Sequence, residues 1–493
     1  MALVNFTTST TNGVSGISNQ NNVIYRNGYY YIIYVSQGAL AFGNTAMRYK
    51  KSITVEGLYT AIEGTILIRG YSQDDYDPDG RSASAFDFRY DETNDRILFA
   101  TSGWIKYSAL SSLRTSFATF DGSGDIVMDN AFPHTVLASN GASEKFGCPR
   151  VCLLGSGKWV ILSCELLYLT SPYPTRFGRV RVYISDRDNP SAFAHWTGYD
   201  MLTSAAQDLS TAMSIQRVAD GSDDFVVVYY KRNSIGGYIF QTLKSKRFDF
   251  GAGTFGAEVD IGLSIYDSPA NQMLNPDITN MELNSSGIPY FVAFIINTND
   301  DYTEQNKDMY LCQYAEATDS WVTELQSDAL FTDHYPYHPV TGTISFYQDY
   351  LFLVYGDNIT AASTAELCWA YKPAGESWVD IRSYLDADMK TTDIWYGNAT
   401  CNGIISGGKA IAVFVWLNRF GAPDHNSIYM TSKSIGAFGL IPVVNAIRNY
   451  NGLMCFASEN TLEDGLFAHR LDREANSGTD LIELVDDTAS LDL

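Results

Sequence analysis

Short runs of β-branched and aromatic residues recur along the chain, each bounded by Gly, Asn, Asp or Ser, while stretches with a 3.6-residue apolar period are scarce. This pattern predicts strands rather than helices. One kind of run returns at Tyr30–Val35, Arg96–Thr101, Trp159–Cys164, Phe225–Tyr230, Tyr290–Ile295, Tyr350–Tyr355, Ile411–Trp416 and Leu453–Ser458. The start-to-start spacings are 66, 63, 66, 65, 60, 61 and 42, and wrapping from the last run to the first takes another 70. A near-constant period over a whole chain marks a repeat fold.

Most runs follow a weaker strand and a tight turn, as at Arg26-Asn-Gly28, Gly155-Ser-Gly157, Asp220-Gly-Ser-Asp223 and Ser285-Ser-Gly287. Asn-Gly and Asp-Gly supply the positive φ angles of hairpin turns. A variable segment and a third strand come next, then a short polar turn and often an aromatic residue, as at Trp196, Trp321 and Trp378. The unit is therefore four antiparallel strands, the blade of a β-propeller. The expectation is an all-β fold, a single β-propeller with eight blades by repeat count and seven as the alternative. It spans 1–485, closed by N- and C-terminal strands, with an acidic tail at 486–493. Closure is expected from a strand near Leu3–Thr7 beside strands near Leu466–Leu471 and Leu481–Val485.

Composition narrows the possible partners. The 493 residues carry 33 Lys+Arg against 56 Asp+Glu, a net charge of −23. That balance argues against nucleic acid, whose phosphates need clustered cations, and against an anionic membrane surface. Hydrophobic content of 45% is ample for a packed core. The first residues show neither a basic n-region nor an apolar h-region, so the expectation is synthesis in the cytoplasm without a signal peptide, and no membrane insertion. Seven cysteines in a chain of this length read as buried free thiols, not a disulfide framework.

The segment Asn22-Val-Ile-Tyr-Arg-Asn-Gly-Tyr-Tyr-Tyr-Ile-Ile-Tyr-Val35 resembles the strand–Asn-Gly–strand hairpin of propeller glycosidases of the arabinanase, xylosidase and invertase type. That resemblance implies a carbohydrate-active propeller with an acidic residue at the start of the first such strand. Here the equivalent stretch, Ser18-Asn-Gln-Asn-Asn22, has no carboxylate. Sialidases are similar in their repeated four-stranded blades. Ser185-Asp-Arg-Asp-Asn-Pro with Trp196 resembles their Asp-box, with Arg187 where the aspartate belongs. The Thr/Ser/Asn-rich N-terminus on a large β-fold resembles bacteriophage tail and receptor-binding proteins. On these likenesses the expected function is a non-enzymatic interaction protein, a virion component recognising a glycan or partner subunits. The alternative is a carbohydrate-active propeller enzyme, a glycoside hydrolase or lyase.

Loop variety on a rigid scaffold is where binding resides, and the long connections opposite the tight turns vary most. The stretches expected to form this face are Glu165–Arg179, Lys231–Gly236, Asn297–Lys307, Gly356–Ala365, Leu417–Asn426 and the interblade loops. Tyr173, Tyr266, Tyr335, Tyr337, Trp395, Tyr396 and Phe420 are the candidate ligand-binding residues, because flat rings stack on the apolar faces of sugars. A glycan or protein is the expected partner here, with homo-oligomerisation or membership of a larger assembly as a further expectation. Asp75-Tyr-Asp77-Pro-Asp79-Gly80 fits the first half of a calcium loop, which makes calcium the candidate cofactor. A hydrolase needs two converging carboxylates. Candidates on the loop face are Glu165, Asp200, Asp267, Asp333, Asp388 and Asp424. His334 and His338 share one Pro-rich loop, which reads as a rigid loop rather than a metal site.

Overall fold

The computed structural model describes residues 4–9, 23–37, 45–54, 56–66, 85–105, 110–129, 135–140, 144–167, 176–202, 208–219, 221–235, 238–267, 277–298, 305–325, 342–347, 350–360, 364–373, 375 and 378–380, and the strands of 401–406, 409–418, 425–434, 444–450, 453–458, 465–472 and 477–485. The chain is a β-propeller of antiparallel, four-stranded blades. Each apolar run falls in the second strand of a sheet, and in the six blades described below that strand is buried on both faces. The alternating large residues of such a strand pack in two directions, one set toward each neighbouring blade.

Strand β1 is Val4–Ser9. Blade 1 comprises β2 (Val23–Arg26), β3 (Tyr29–Gln37), β4 (Thr45–Ser52) and β5 (Gly64–Ile66). Blade 2 has β6 (Ala85–Asp91), β7 (Arg96–Ile105) and β8 (Leu110–Phe120), with β9 (Ile126–Met128) and β10 (Thr135–Asn140) both paired to β8. Blade 3 is β11 (Glu144–Leu153), β12 (Trp159–Leu167), β13 (Arg176–Ser185) and β14 (Trp196–Leu202). Blade 4 is β15 (Asp208–Arg217), β16 (Phe225–Ile235) and β17 (Tyr238–Asp249), with β18 (Thr254–Phe255) and β19 (Val259–Asp267) on β17. In blade 5 the first strand is split into β20 (Asp277–Ile278) and β21 (Glu282–Leu283), followed by β22 (Pro289–Thr298), β23 (Gln305–Ala315) and β24 (Ser320–Leu325). Blade 6 is β25 (Gly342–Tyr347), β26 (Tyr350–Thr360), β27 (Thr364–Pro373) and β28 (Val379–Asp380).

Five apolar interfaces join these six blades in sequence order. Ile24, Tyr31 and Ile33 of blade 1 meet Phe86, Phe88 and Phe99 of blade 2. Leu98, Leu113 and Phe117 of blade 2 meet Trp159, Ile161 and Trp196 of blade 3. Val160, Leu162 and Val182 of blade 3 meet Phe225, Val227 and Phe248 of blade 4. Val226, Val228 and Tyr230 then face Phe291 and Cys312 of blade 5, and Val292 and Phe294 face Leu351, Leu353 and Trp378 of blade 6.

Two further sheets are paired as β1-β31-β30-β29 and β32-β33-β34-β35, where β29 is Cys401–Ser406, β30 Lys409–Asn418, β31 His425–Ser434, β32 Val444–Tyr450, β33 Leu453–Ser458, β34 Gly465–Asp472 and β35 Ser477–Val485. Two compact units divide the chain: Met1–Ile404 with Ala412–Thr431, and Ile405–Ile411 with Ser432–Leu493. The propeller thus has six blades packed one on the next, where the run count expects eight, or seven. The excess comes from the last two runs. The run at Ile411 lies in a sheet shared with the N-terminal strand, and the run at Leu453 lies in the second unit. The N-terminal strand also pairs elsewhere than expected: β1 lies against β31, Val4 opposite Met430, while β34 and β35 pair with each other.

The tight turns form as the sequence requires. Asn27 and Gly28 both have positive φ, 47° and 79°, which closes the two-residue hairpin between β2 and β3. Several stretches expected to be loops are instead strand. β16 and β17 remain paired out to Ile235 and Tyr238, through Lys231-Arg-Asn-Ser234. The apolar run of the second strand ends at Tyr230 while its pairing continues through polar residues, so hydropathy underestimates its length.

Among the described residues no helix is long and apolar enough to cross a membrane. Cys152 and Cys312 are buried and unbridged, as the composition implies.

Candidate functional site

The tight-turn face is given over to staples between neighbouring blades. The Arg26 guanidinium forks onto Asp95 and lies over the Phe120 ring, 4.1 Å from its centroid. Arg96 donates to the Asp188 carbonyl at 2.7 Å, and so does the Trp159 indole N–H at 2.7 Å. The turns of blades 3 and 4 bond directly, Gly155 N–H to the Ser222 carbonyl and Ser156 N–H to Asp223, each at 2.8 Å. The Asp-box-like segment belongs to this scaffold. It turns the chain from β13 to β14: the Ser185 hydroxyl accepts from Trp159 N–H at 2.8 Å and donates to the Arg187 carbonyl at 2.7 Å, and Trp196 sits in the core. The first strands begin at the opposite end of the blades.

Beneath that end, side chains of the first strands clamp the backbone of the next blade. Asp87 accepts from Val151 N–H at 2.8 Å, while Arg89 Nε donates to the Val151 carbonyl at 3.2 Å. Arg150 Nε donates to the Met213 carbonyl at 2.9 Å. The Ser214 hydroxyl accepts from Met281 N–H at 2.9 Å, and Gln216 Nε2 donates to its carbonyl at 3.0 Å. Asn280 does both jobs on Ile344, accepting from N–H at 2.9 Å and donating to the carbonyl at 3.0 Å. Residues two apart share a strand face, so the pairs Asp87/Arg89 and Ser214/Gln216 reach the same neighbour.

Each clamp satisfies backbone groups that burial would otherwise strand. Burial pushes the Cys152 thiol up to about 11 despite the nearby Arg89 guanidinium, so at neutral pH this cysteine is a protonated thiol and no nucleophile.

Three of these first strands begin, at their loop ends, on acidic residues. A first strand runs from the loop end toward the tight turn. β11 opens on Glu144, opposite Leu167; β15 opens on Asp208, opposite Arg232; β20 opens on Asp277, opposite Phe294. The first strands of three consecutive blades thus begin on an acidic residue, Asp277 lying deeper along its hairpin than the other two, because β22 continues past Phe294 to Thr298. Blades 1, 2 and 6 begin on Val23, Ala85 and Gly342.

These three acids are absent from the expected set, which looks for carboxylates in loops. The usable signal is an acid ahead of the first hairpin of three successive repeats. Of the expected carboxylates, Asp200 lies on the outer strand β14, where Arg181 donates to it at 2.7 Å. Glu165 and Asp267 take their places in β12 and β19. Asp333, Asp388 and Asp424 lie outside the described residues.

Tyr173, Tyr335, Tyr337, Trp395, Tyr396 and Phe420 lie outside the described residues, and so do Asp75, Asp77 and Asp79. Tyr266 is placed only by its backbone, opposite Phe240 at the end of β19. Among the described residues no group of three His, Cys, Asp or Glu gathers as a metal site.

No family model matches the chain, and no curated protein matches it. Solved structures do. The polysaccharide lyase Uly1 aligns with a TM-score of 0.48 at 8% identity, over 86% of this chain and 91% of that one. An α-L-arabinanase of Penicillium chrysogenum complexed with arabinobiose aligns at 0.41 and 9%, over 88% and 98%. The GH93 α-L-arabinofuranosidase of Fusarium graminearum with arabinobiose aligns at 0.40 and 10%, over 73% and 93%. All three are named as carbohydrate enzymes and none as a virion component. This corrects the expectation of a non-enzymatic phage tail or receptor-binding protein.

Proposed function

We propose that the protein is a carbohydrate-active propeller enzyme that hydrolyses a glycan at the loop end of blades 3, 4 and 5. The observation that carries this reading is the succession of Glu144, Asp208 and Asp277 at the openings of three adjacent first strands. Glycoside hydrolysis needs one carboxylic acid to protonate the leaving oxygen and one carboxylate to act as base or nucleophile. The interblade clamps of β11, β15 and β20–β21 hold these strands for such a task.

The test is a panel of neutral and uronate-containing polysaccharides incubated with the purified protein. New reducing ends with saturated sugar products support the reading. Unsaturated uronate products would instead point to a lyase, whose reaction is elimination. A folded protein that cleaves none of the panel would overturn the enzymatic reading.

A further inference from the structure

The Arg89 guanidinium lies 3.5 Å from the Glu282 carboxylate. This contact joins blade 2 to blade 5, three blades on, whereas Arg26–Asp95, Arg96–Asp188 and Arg247–Glu316 join adjacent blades. The side chains of Arg89 and Glu282 are 24% and 27% exposed, so the contact is neither sealed in a core nor free on the surface. Each partner is anchored on its own side. Arg89 Nε holds the Val151 carbonyl of β11, and the same Glu282 oxygen accepts from Asn280 Nδ2 at 2.7 Å.

Taken with the clamps, this contact completes a closed circuit. Arg150 ties β11 to β15 through the Met213 carbonyl. Ser214 and Gln216 tie β15 to the broken strand β20–β21 through both polar groups of Met281, just ahead of β21. Glu282 and Arg89 tie β21 back to β11 through Val151. The three segments in the circuit are β11, β15 and the broken strand β20–β21. They are the ones that open on Glu144, Asp208 and Asp277.

We propose that Arg89 and Glu282 are positioning residues, a brace that fixes the relative spacing of the three first strands that carry Glu144, Asp208 and Asp277. This inference rests on the functional reading above. Two sides of the circuit are made by adjacent blades, whose cores already hold them together. The third side crosses from blade 5 to blade 3, and among the described residues no apolar cluster joins those two blades. An ion pair supported by further hydrogen bonds at both ends acts as one unit, and its members couple energetically. Small misplacement of reacting groups is costly in rate, whereas a glycan bound over many subsites keeps its affinity.

The experiment compares Arg89→Gln, Glu282→Gln and the double variant by amide hydrogen exchange and by steady-state kinetics on a cleaved polysaccharide. The expected result is faster exchange at Val151 and Met281 in each single variant, with no further gain in the double. On the polysaccharide, kcat falls about tenfold with KM nearly unchanged, and the double is no worse than either single. Unchanged exchange in both single variants, or independent additive effects, would overturn the brace. A merely structural role would lower the melting temperature and the active fraction without changing kcat per active molecule, and that result would overturn the positioning role. If no polysaccharide is cleaved by the wild-type protein, the functional reading fails and the positioning role fails with it. Coupled exchange would then still establish the contact circuit.

Discussion

The Asn280 side-chain amide bonds both the N–H and the carbonyl of Ile344, at 2.9 and 3.0 Å, and so fastens blade 5 to blade 6 at a single peptide-like contact. The Thr343 hydroxyl donates to the same Asn280 oxygen at 2.7 Å, and both residues are buried. Asn280→Ala leaves a buried N–H and carbonyl without partners. The expected cost is about 2–4 kcal/mol, read by denaturant unfolding, because each stranded group loses its full desolvation compensation. Asn280→Asp sets a buried carboxylate oxygen against the Ile344 carbonyl and the Glu282 carboxylate, and is expected to cost at least as much as Asn280→Ala.

Trp159 shows how much one side chain can unite. It is fully buried, its ring meets Phe117 edge-on at 5.7 Å, and its indole N–H donates to the Asp188 carbonyl. Trp159→Ala is expected to destabilise by about 3–5 kcal/mol. Trp159→Phe keeps the apolar fill but removes the indole donor to the Asp188 carbonyl, and should cost less. Thermal melts of the two variants check the order.

Glycines at two turns are required for different reasons. A Cβ on Gly155 would stand 2.0 Å from the Gly221 carbonyl oxygen of the next blade. Gly28 has a φ of +79°, and a Cβ added there would meet nothing within 4 Å. Gly28→Ala should therefore cost only the left-handed conformation, about 1–2 kcal/mol. Gly155→Ala forces the turns of blades 3 and 4 apart and should cost about 3 kcal/mol. Equal melting temperatures would contradict the turn–turn contact.

The staples also set a response to acid. The hydrogen bonds from Arg26 and from the Tyr90 hydroxyl hold the Asp95 carboxyl below its usual range, and Lys51 does the same for Asp125. A carboxylate with a depressed folded pKa stabilises the fold above its unfolded value, and that contribution disappears as pH falls through the folded value. Asp125 is 43% exposed, so its pair is worth less than about 1 kcal/mol after screening by solvent. Asp125→Asn should melt slightly earlier than wild type at neutral pH, and the gap should close below about pH 4. A gap that persists in acid would contradict the assignment.

Much of this architecture is legible in the sequence, because a blade repeats one local pattern. Tyr30–Val35 and its counterparts each fall in the second strand of a sheet, and Asn27-Gly28 turns where the dipeptide requires. Periodicity counts runs, however, and does not say what each sheet packs against. The run at Ile411 therefore looks like any other, although its sheet takes in β1. The site is harder to read. Glu144, Asp208 and Asp277 are single acids in a chain with 56, and only the hairpin register shows that each begins the first strand of its blade. The Arg89–Glu282 contact is separated by 193 residues, beyond any local pattern.

The central claim is that the first-strand carboxylates perform glycan cleavage. The most direct measurement is the rate of reducing-end release from a polysaccharide cleaved by the wild-type protein, repeated for Glu144→Gln, Asp208→Asn and Asp277→Asn with folding verified by thermal melt. The account predicts that at least two of the three lose about a hundredfold or more in kcat while still binding the glycan. Near wild-type kcat in all three folded variants would contradict it.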